Sequence, residues 1–171
     1  DLIRYCDSAG MRLISDEVYH GITYGEKAIS AAEYSNSAIV INSFSKHFSM
    51  TGWRLGWMVV PEDMVRTIEV LSQNLAISAP ALSQHAALAA FGATEELDAK
   101  VAVYGRNREL LLKELPVMGF DRMAPADGAF YIFADVSNLT NASMLFCRQM
   151  LKQIGVATTP GIDFDAKRGN A

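Results

Sequence analysis

The stretch "NSFSKHFSMTGWRLGW", residues 42–57, decides the reading of this chain. Lys46 stands just after the β-branched run "SAIVINSFS", which reads as a strand that ends at the lysine. Ser43 and Ser45 flank the approach to it, and Arg54 follows eight positions later, opening another apolar run, "RLGWMVV", closed by Pro61. Upstream, "MRLIS" reads as a short buried strand that ends at Asp16, with Tyr19 three residues further on. In open parallel sheets ligands bind beyond the carboxyl ends of the strands. Both Asp16 and Lys46 belong at such ends.

The rest of the pattern is mixed. "DLIRYCDSAG" reads as a helix stopped by Gly10. After Pro61, Glu62 and Asp63 suit a first helical turn, and Met64, Ile68, Leu71 and Leu75 keep helical spacing. "SAP" at 78–80 breaks that helix, and Pro80 opens the next, which runs to Gly92. A long helix is expected from Glu95 to Leu115, with Gly105 inside it marking a bend or a close contact. Then "FDRMA" and "AFYIFADV" read as strands joined by a "PADG" turn. Asn141 is a suitable N-cap for a helix that ends at Gly155, and "VATTP" reads as a last strand. The fold class is therefore α/β: part of a large α/β domain with helical crossovers over residues 1–76, interdomain helices over 77–115, and most of a smaller α+β domain over 116–171.

Composition narrows the function classes. The chain has 171 residues, half of them hydrophobic and a fifth charged, with formal net charge −4. No Lys/Arg stripe offers a nucleic-acid surface. The apolar runs fall short of a membrane-spanning helix. Cys6 and Cys147 lie far apart in apolar surroundings and read as reduced thiols of a cytoplasmic protein. His20, His47 and His85 lack metal-ligand spacing, so no metal site is expected. Trp53, Trp57, Phe130 and Tyr131 read as packing residues and the eight methionines as core filler. The chain opens at Asp1 inside a helical pattern and stops after "TTPGIDFDAKRGNA" without a closing element, which reads as a piece of a longer protein.

The strand-end inventory contains a carboxylate, a phenol, an amine, hydroxyls and a guanidinium. Arginine and serine suit a phosphate. A lysine amine condenses with an aldehyde. A carboxylate suits a pyridinium nitrogen, and a phenol suits a neighbouring phenolic oxygen. Pyridoxal phosphate has all four features.

These residues carry a resemblance. "SDEVYHGITYG" and "SFSKHFSMTGWRLG" resemble the two signature segments of fold-type I pyridoxal-phosphate enzymes of the class I/II aminotransferase family, and "PADGAFYIF" resembles a third, in that family's small domain. The resemblance covers nearly the whole chain. It implies that Lys46 forms the Schiff base and later moves the proton, that Asp16 holds the ring nitrogen protonated, and that Tyr19 bonds the phenolic oxygen. Ser43, Ser45 and Arg54 would hold the phosphate. It further implies an amino acid and a 2-oxo acid as substrates, and a homodimer with "ISAP" near the partner's phosphate. The glycine-rich phosphate cup, the ring-stacking aromatic, a contacting asparagine and the substrate-carboxylate arginine are implied outside this chain; Arg168 comes too early for that last role. On this reading the 171 residues alone are not a competent enzyme. Two alternatives share the motifs: a β-lyase or synthase on the same scaffold, and the aminotransferase-like effector domain of a transcription regulator. The eight-residue Lys46–Arg54 spacing without proline, within a Thr-Gly-Trp-Arg-Leu-Gly run, leans towards the aminotransferase.

Overall fold

The computed structural model describes residues 2–170. Asp1, where the sequence pattern starts the first helix, lies outside the described residues. The chain divides into two compact units, Asp1–Gly105 with Asp127–Ala129, and Arg106–Ala126 with Phe130–Ala171.

The first unit is built on a three-stranded sheet of order β1-β2-β3, with β1 Ile14–Asp16, β2 Ile39–Ser43 and β3 Gly56–Val59. Strands β1 and β2 are parallel, with Asp16 level with Ile41. β3 returns antiparallel, pairing Ser43 with Gly56. The β1-to-β2 connection is not the helical crossover expected. It is irregular apart from a 3₁₀ turn, Ala31–Glu33, because a buried carboxylate ties its backbone down instead: Glu17 Oε1 accepts from the Ala31 N–H at 2.8 Å.

Two apolar clusters hold this unit. Ala31, Ala38 and Val40 pack with Ile3 and Leu13. Phe44, Met50 and Ala87 pack with Phe48, Leu55, Trp57, Ala86 and Ala90. Of the two tryptophans expected to pack, Trp57 sits against Phe44, ring centroids 4.9 Å apart. Trp53 is largely exposed. Its carbonyl accepts from the Ser83 hydroxyl at 2.7 Å.

Helix α1, Leu2–Ser8, gives way to Gly10 at φ +66°, as the glycine stop predicts. Helix α2 is Val65–Leu75 and α3 Ala81–Ala90, with Pro80 at the N-cap rather than inside the helix. α2 carries the expected apolar stripe, yet none of its residues is buried. Helix α4, Thr94–Glu114, contains the boundary between the units. Its Gly105 leaves room for the Tyr24 ring, 3.8 Å from where a Cβ would stand.

The second unit holds strands β4 Arg122–Met123 and β5 Ala134–Asp135, paired antiparallel, and helix α5 Ser143–Ile154. Four expectations fail here. The "AFYIFADV" strand shrinks to Ala134–Asp135. Its lead-in, the "PADG" turn and Ala129, is not a hairpin turn: Gly128 forms an antiparallel bridge with Thr23. The Tyr24 N–H donates to the Asp127 carbonyl, and the Ala129 N–H donates to the Ile22 carbonyl, both at 2.9 Å. The backbone of 127–129 thus finds its partners in the first unit's chain, not in a β4–β5 ladder. Asn141 is not the N-cap of α5; Ala142 is, without a side-chain cap. The Ser143 N–H donates to the Asn170 carbonyl at 3.2 Å, so a distant segment satisfies a helix-start donor. "VATTP" forms no strand. Gly155 ends α5 at φ +72°, as expected.

Candidate functional site

The lysine region is a tight reversal anchored from below. β2 ends at Ser43, earlier than the sequence suggested, and Phe44 turns into the core at 4 % exposure. The Phe44 N–H donates to the Leu55 carbonyl at 3.1 Å, and the Met50 N–H to the Phe44 carbonyl at 3.0 Å. Between them the Ser49 N–H closes a turn on the Lys46 carbonyl at 3.0 Å. A 3₁₀ turn, Thr51–Trp53, follows, and Arg54 leaves it in the left-handed region at φ +52°. With Phe44 and the aromatic rings beneath as an anchor, the polar residues of the reversal stay at the sheet edge.

Several of the expected site residues lie on this one edge. Because β3 is antiparallel, Arg54 precedes it on the edge where β1 and β2 end. Ser43 and Ser45 converge: their hydroxyls are 3.0 Å apart, and the Ser45 N–H donates to the Ser43 hydroxyl at 3.1 Å. The Thr51 hydroxyl donates to the Ser45 carbonyl at 2.7 Å. One guanidinium nitrogen of Arg54 donates to the Thr51 carbonyl at 2.9 Å, and the side chain is exposed. Lys46 is half-buried, its Nζ 5.7 Å from the centroid of the Tyr19 ring, within cation–π range. Asp16 closes β1; its carboxylate accepts from the Val18 N–H at 3.2 Å, which shapes the turn that carries Tyr19.

Sequence reasoning missed the support under this turn. Glu17 is 3 % exposed. Its carboxylate accepts from Ala31 N–H and from the Ser15 hydroxyl at 3.1 Å, and pairs with His20 Nδ1 at 3.2 Å. The only sequence sign was a glutamate directly after the strand-end aspartate. His47, which has no metal-ligand spacing in the sequence, lies with its ring against Gly21. Among the described residues no group of three or more His, Cys, Asp or Glu could hold a metal ion. None of the described helices is long and apolar enough to cross a membrane.

The donor set fits pyridoxal phosphate chemically: an amine beside a phenol, a strand-end carboxylate, and paired hydroxyls with an exposed guanidinium on the same edge. A lysine set at the carboxyl edge of an α/β sheet, between serines and an arginine, defines a fold-type I enzyme scaffold. Residues 1–169 match the profile of "Aminotransferase class I and II", and the chain belongs to that family. It is 52 % identical to a valine–pyruvate aminotransferase of Mycobacterium tuberculosis, over 98 % of this chain and 44 % of that protein. A crystal structure of an aminotransferase from Mycobacterium tuberculosis matches with TM-score 0.95 at 51 % identity, over 99 % of this chain and 45 % of that one. A mutant of Thermus thermophilus aspartate aminotransferase matches with TM-score 0.86 at 30 % identity, over 96 % of this chain and 46 % of that one. The chain thus spans less than half the length of these relatives.

Proposed function

We propose that the protein to which these residues belong is a pyridoxal-phosphate-dependent aminotransferase that moves an amino group between an amino acid and a 2-oxo acid. The observation that carries this is Lys46 over Tyr19 at the sheet's carboxyl edge, with Ser43, Ser45 and Arg54 on the same edge. Bound there, the cofactor supplies an aldehyde for amine exchange and a ring that accepts electrons from the substrate's α-carbon.

The chain's own residues do the rest. Lys46 would hold the cofactor's aldehyde through its amine and, once freed, would serve as the base that moves the proton at the substrate's α-carbon. Asp16 would hold the proton of the ring nitrogen. The Tyr19 hydroxyl donates to the phenolic oxygen. Arg54 and the two serine hydroxyls take the phosphate, whose charge the guanidinium matches with a planar fork of donors. Activity belongs to the whole protein, working as a cytoplasmic homodimer, and the 171 residues alone do not turn over. The dimer is supported by the segment after α2: Ile77 holds φ +63° with 82 % of its surface exposed, and Leu82 is 73 % exposed. Such a strained, apolar, open segment suits burial against a second subunit. The name of the 52 % identical relative makes valine and pyruvate the first pair to assay.

The test is reduction with borohydride in the presence of pyridoxal phosphate, followed by peptide mapping. Label is expected on Lys46 and lost in Lys46→Ala. Label confined to other lysines in the whole protein would overturn the assignment.

A further inference from the structure

His47 follows the lysine and has no part in the chemistry above. Its ring is nevertheless built into the site. A Cβ at Gly21 would stand 2.7 Å from both Cγ and Nδ1 of His47 and 3.0 Å from its Cδ2. Gly21 holds φ +91°, a conformation that side chains disfavour, so the peptide can lie against the ring only because it is glycine. The Nδ1 atom of His47 is buried and has no hydrogen-bond partner. Buried polar atoms normally have partners. The imidazole is thus held here by its plane rather than by this nitrogen. Phe48 meets the ring edge-on, centroids 5.1 Å apart, and Phe48 in turn packs on Phe44 at 4.8 Å.

Gly21 closes the turn that carries Tyr19. The His20 N–H donates to the Glu17 carbonyl at 2.9 Å and the Ile22 N–H to the Tyr19 carbonyl at 3.0 Å. Ile22 is completely buried. The buried Glu17 anchors the start of this turn. On the Gly21 side the contact is the His47 ring, one residue from Lys46. We propose that His47 is a positioning residue: its ring, stacked on the Gly21 peptide and backed by Phe48, sets the Lys46 segment against the Tyr19 turn. The two segments come from different strands, β2 and β1, and their side-chain alignment is sensitive to sub-ångström shifts that a flat aromatic contact resists.

The inference rests on the reading of Lys46 as the cofactor lysine, and the experiment separates the two. The rate of borohydride-fixed pyridoxal phosphate on Lys46 is measured by peptide mapping in the wild type, His47→Ala and His47→Phe. In His47→Ala the rate should fall about tenfold, and in His47→Phe, which keeps the plane without the nitrogens, it should return to within about twofold of wild type. Label on other lysines should not change. An unchanged rate in His47→Ala would overturn the positioning role, and an equal loss in His47→Phe would overturn the stack as its cause. No label on Lys46 in the whole wild-type protein would instead overturn the functional reading, and the positioning role with it. A second readout needs no cofactor. Gly21→Ala should lower the thermal midpoint less in His47→Ala than in the wild type, because the Cβ meets the ring only when the ring is there. Equal losses in the two backgrounds overturn the stack. Should His47→Ala not fold, His47→Leu, which fills the space without a plane, takes its place in the labelling measurement, with the same fall of about tenfold expected.

Discussion

Arg54 joins a backbone task to a charge. It sits at φ +52°, uses one nitrogen to close on Thr51, and leaves the remainder of its fork exposed at the sheet edge. Arg54→Ala should weaken pyridoxal phosphate binding about 10- to 100-fold, the weight of a charge-assisted hydrogen-bond set. Equilibrium titration of the cofactor's absorbance checks it, and an unchanged affinity would remove Arg54 from the phosphate site. Glu17 is a different kind of residue, wholly structural in its contacts. Glu17→Ala strips partners from the buried Ala31 N–H and from the Ser15 hydroxyl, and should cost about 2 kcal/mol in urea unfolding. From the sequence, Asp16, Tyr19 and Lys46 were recognisable as candidates because each lies at or just past the end of a β-forming run. Glu17 and His47 were not, since their partners, Ala31 and Gly21, lie across turns whose paths local residue preferences do not set.

At the scale of elements, the direction of β3 organises the edge. An antiparallel return puts Gly56 opposite Ser43 and thereby Arg54 beside the lysine reversal. The approach is close: a Cβ on Gly56 would stand 2.7 Å from the Asn42 carbonyl oxygen. The oxygen and the Cα that would carry the Cβ both belong to backbone in a ladder, so neither yields cheaply. Gly56→Ala should therefore destabilise the unit by about 1–3 kcal/mol, as overpacking does. It should also slow Lys46 labelling more than a surface glycine change such as Gly92→Ala, whose Cβ would meet only ordinary contact, 3.5 Å from the Ala89 carbonyl oxygen. Equal effects from the two variants would show that the β2–β3 approach does not matter to the lysine. The "RLGWMVV" run was readable as a strand from its apolar β-formers, while its antiparallel sense was not. Likewise α5 was readable from its helical period, but not its start. There the distant Asn170 carbonyl, not a side-chain cap, accepts from the Ser143 N–H.

At the scale of the whole molecule, three aspartates among the described residues respond to acid in the same sense. Asp63 is held below the ordinary carboxylate value of 3.8, first by its hydrogen bond from Arg12. Asp135 is lowered first by the Ser137 N–H, and Asp165 first by the Arg168 side chain. A carboxyl depressed in the folded state contributes stability that is present above its unfolded value and is lost as pH falls through its folded value. Unfolding midpoints should thus hold steady down to about pH 4 and decline below it. Asp63→Asn should flatten that decline, and an identical acid profile in the variant would sink this account. All three groups are exposed, so raising the salt concentration should shrink the effect.

What the sequence determined by itself is what short stretches can encode. The Ile-Val-Ile run makes β2, helical spacing makes α4 and α5, glycines stop α1 and α5, and the Asp16, Tyr19 and Lys46 offsets carry the family likeness. The tertiary structure alone decided the parallel register of Asp16 with Ile41, the antiparallel return that brings Arg54 to the edge, and the bridge of Gly128 to Thr23. It also decided the seat of the His47 ring on Gly21. The physical reason is the same in each case. A residue's own conformational preference depends on its neighbours in sequence, whereas a backbone donor or a buried ring takes whichever partner the folded chain brings within a few ångströms.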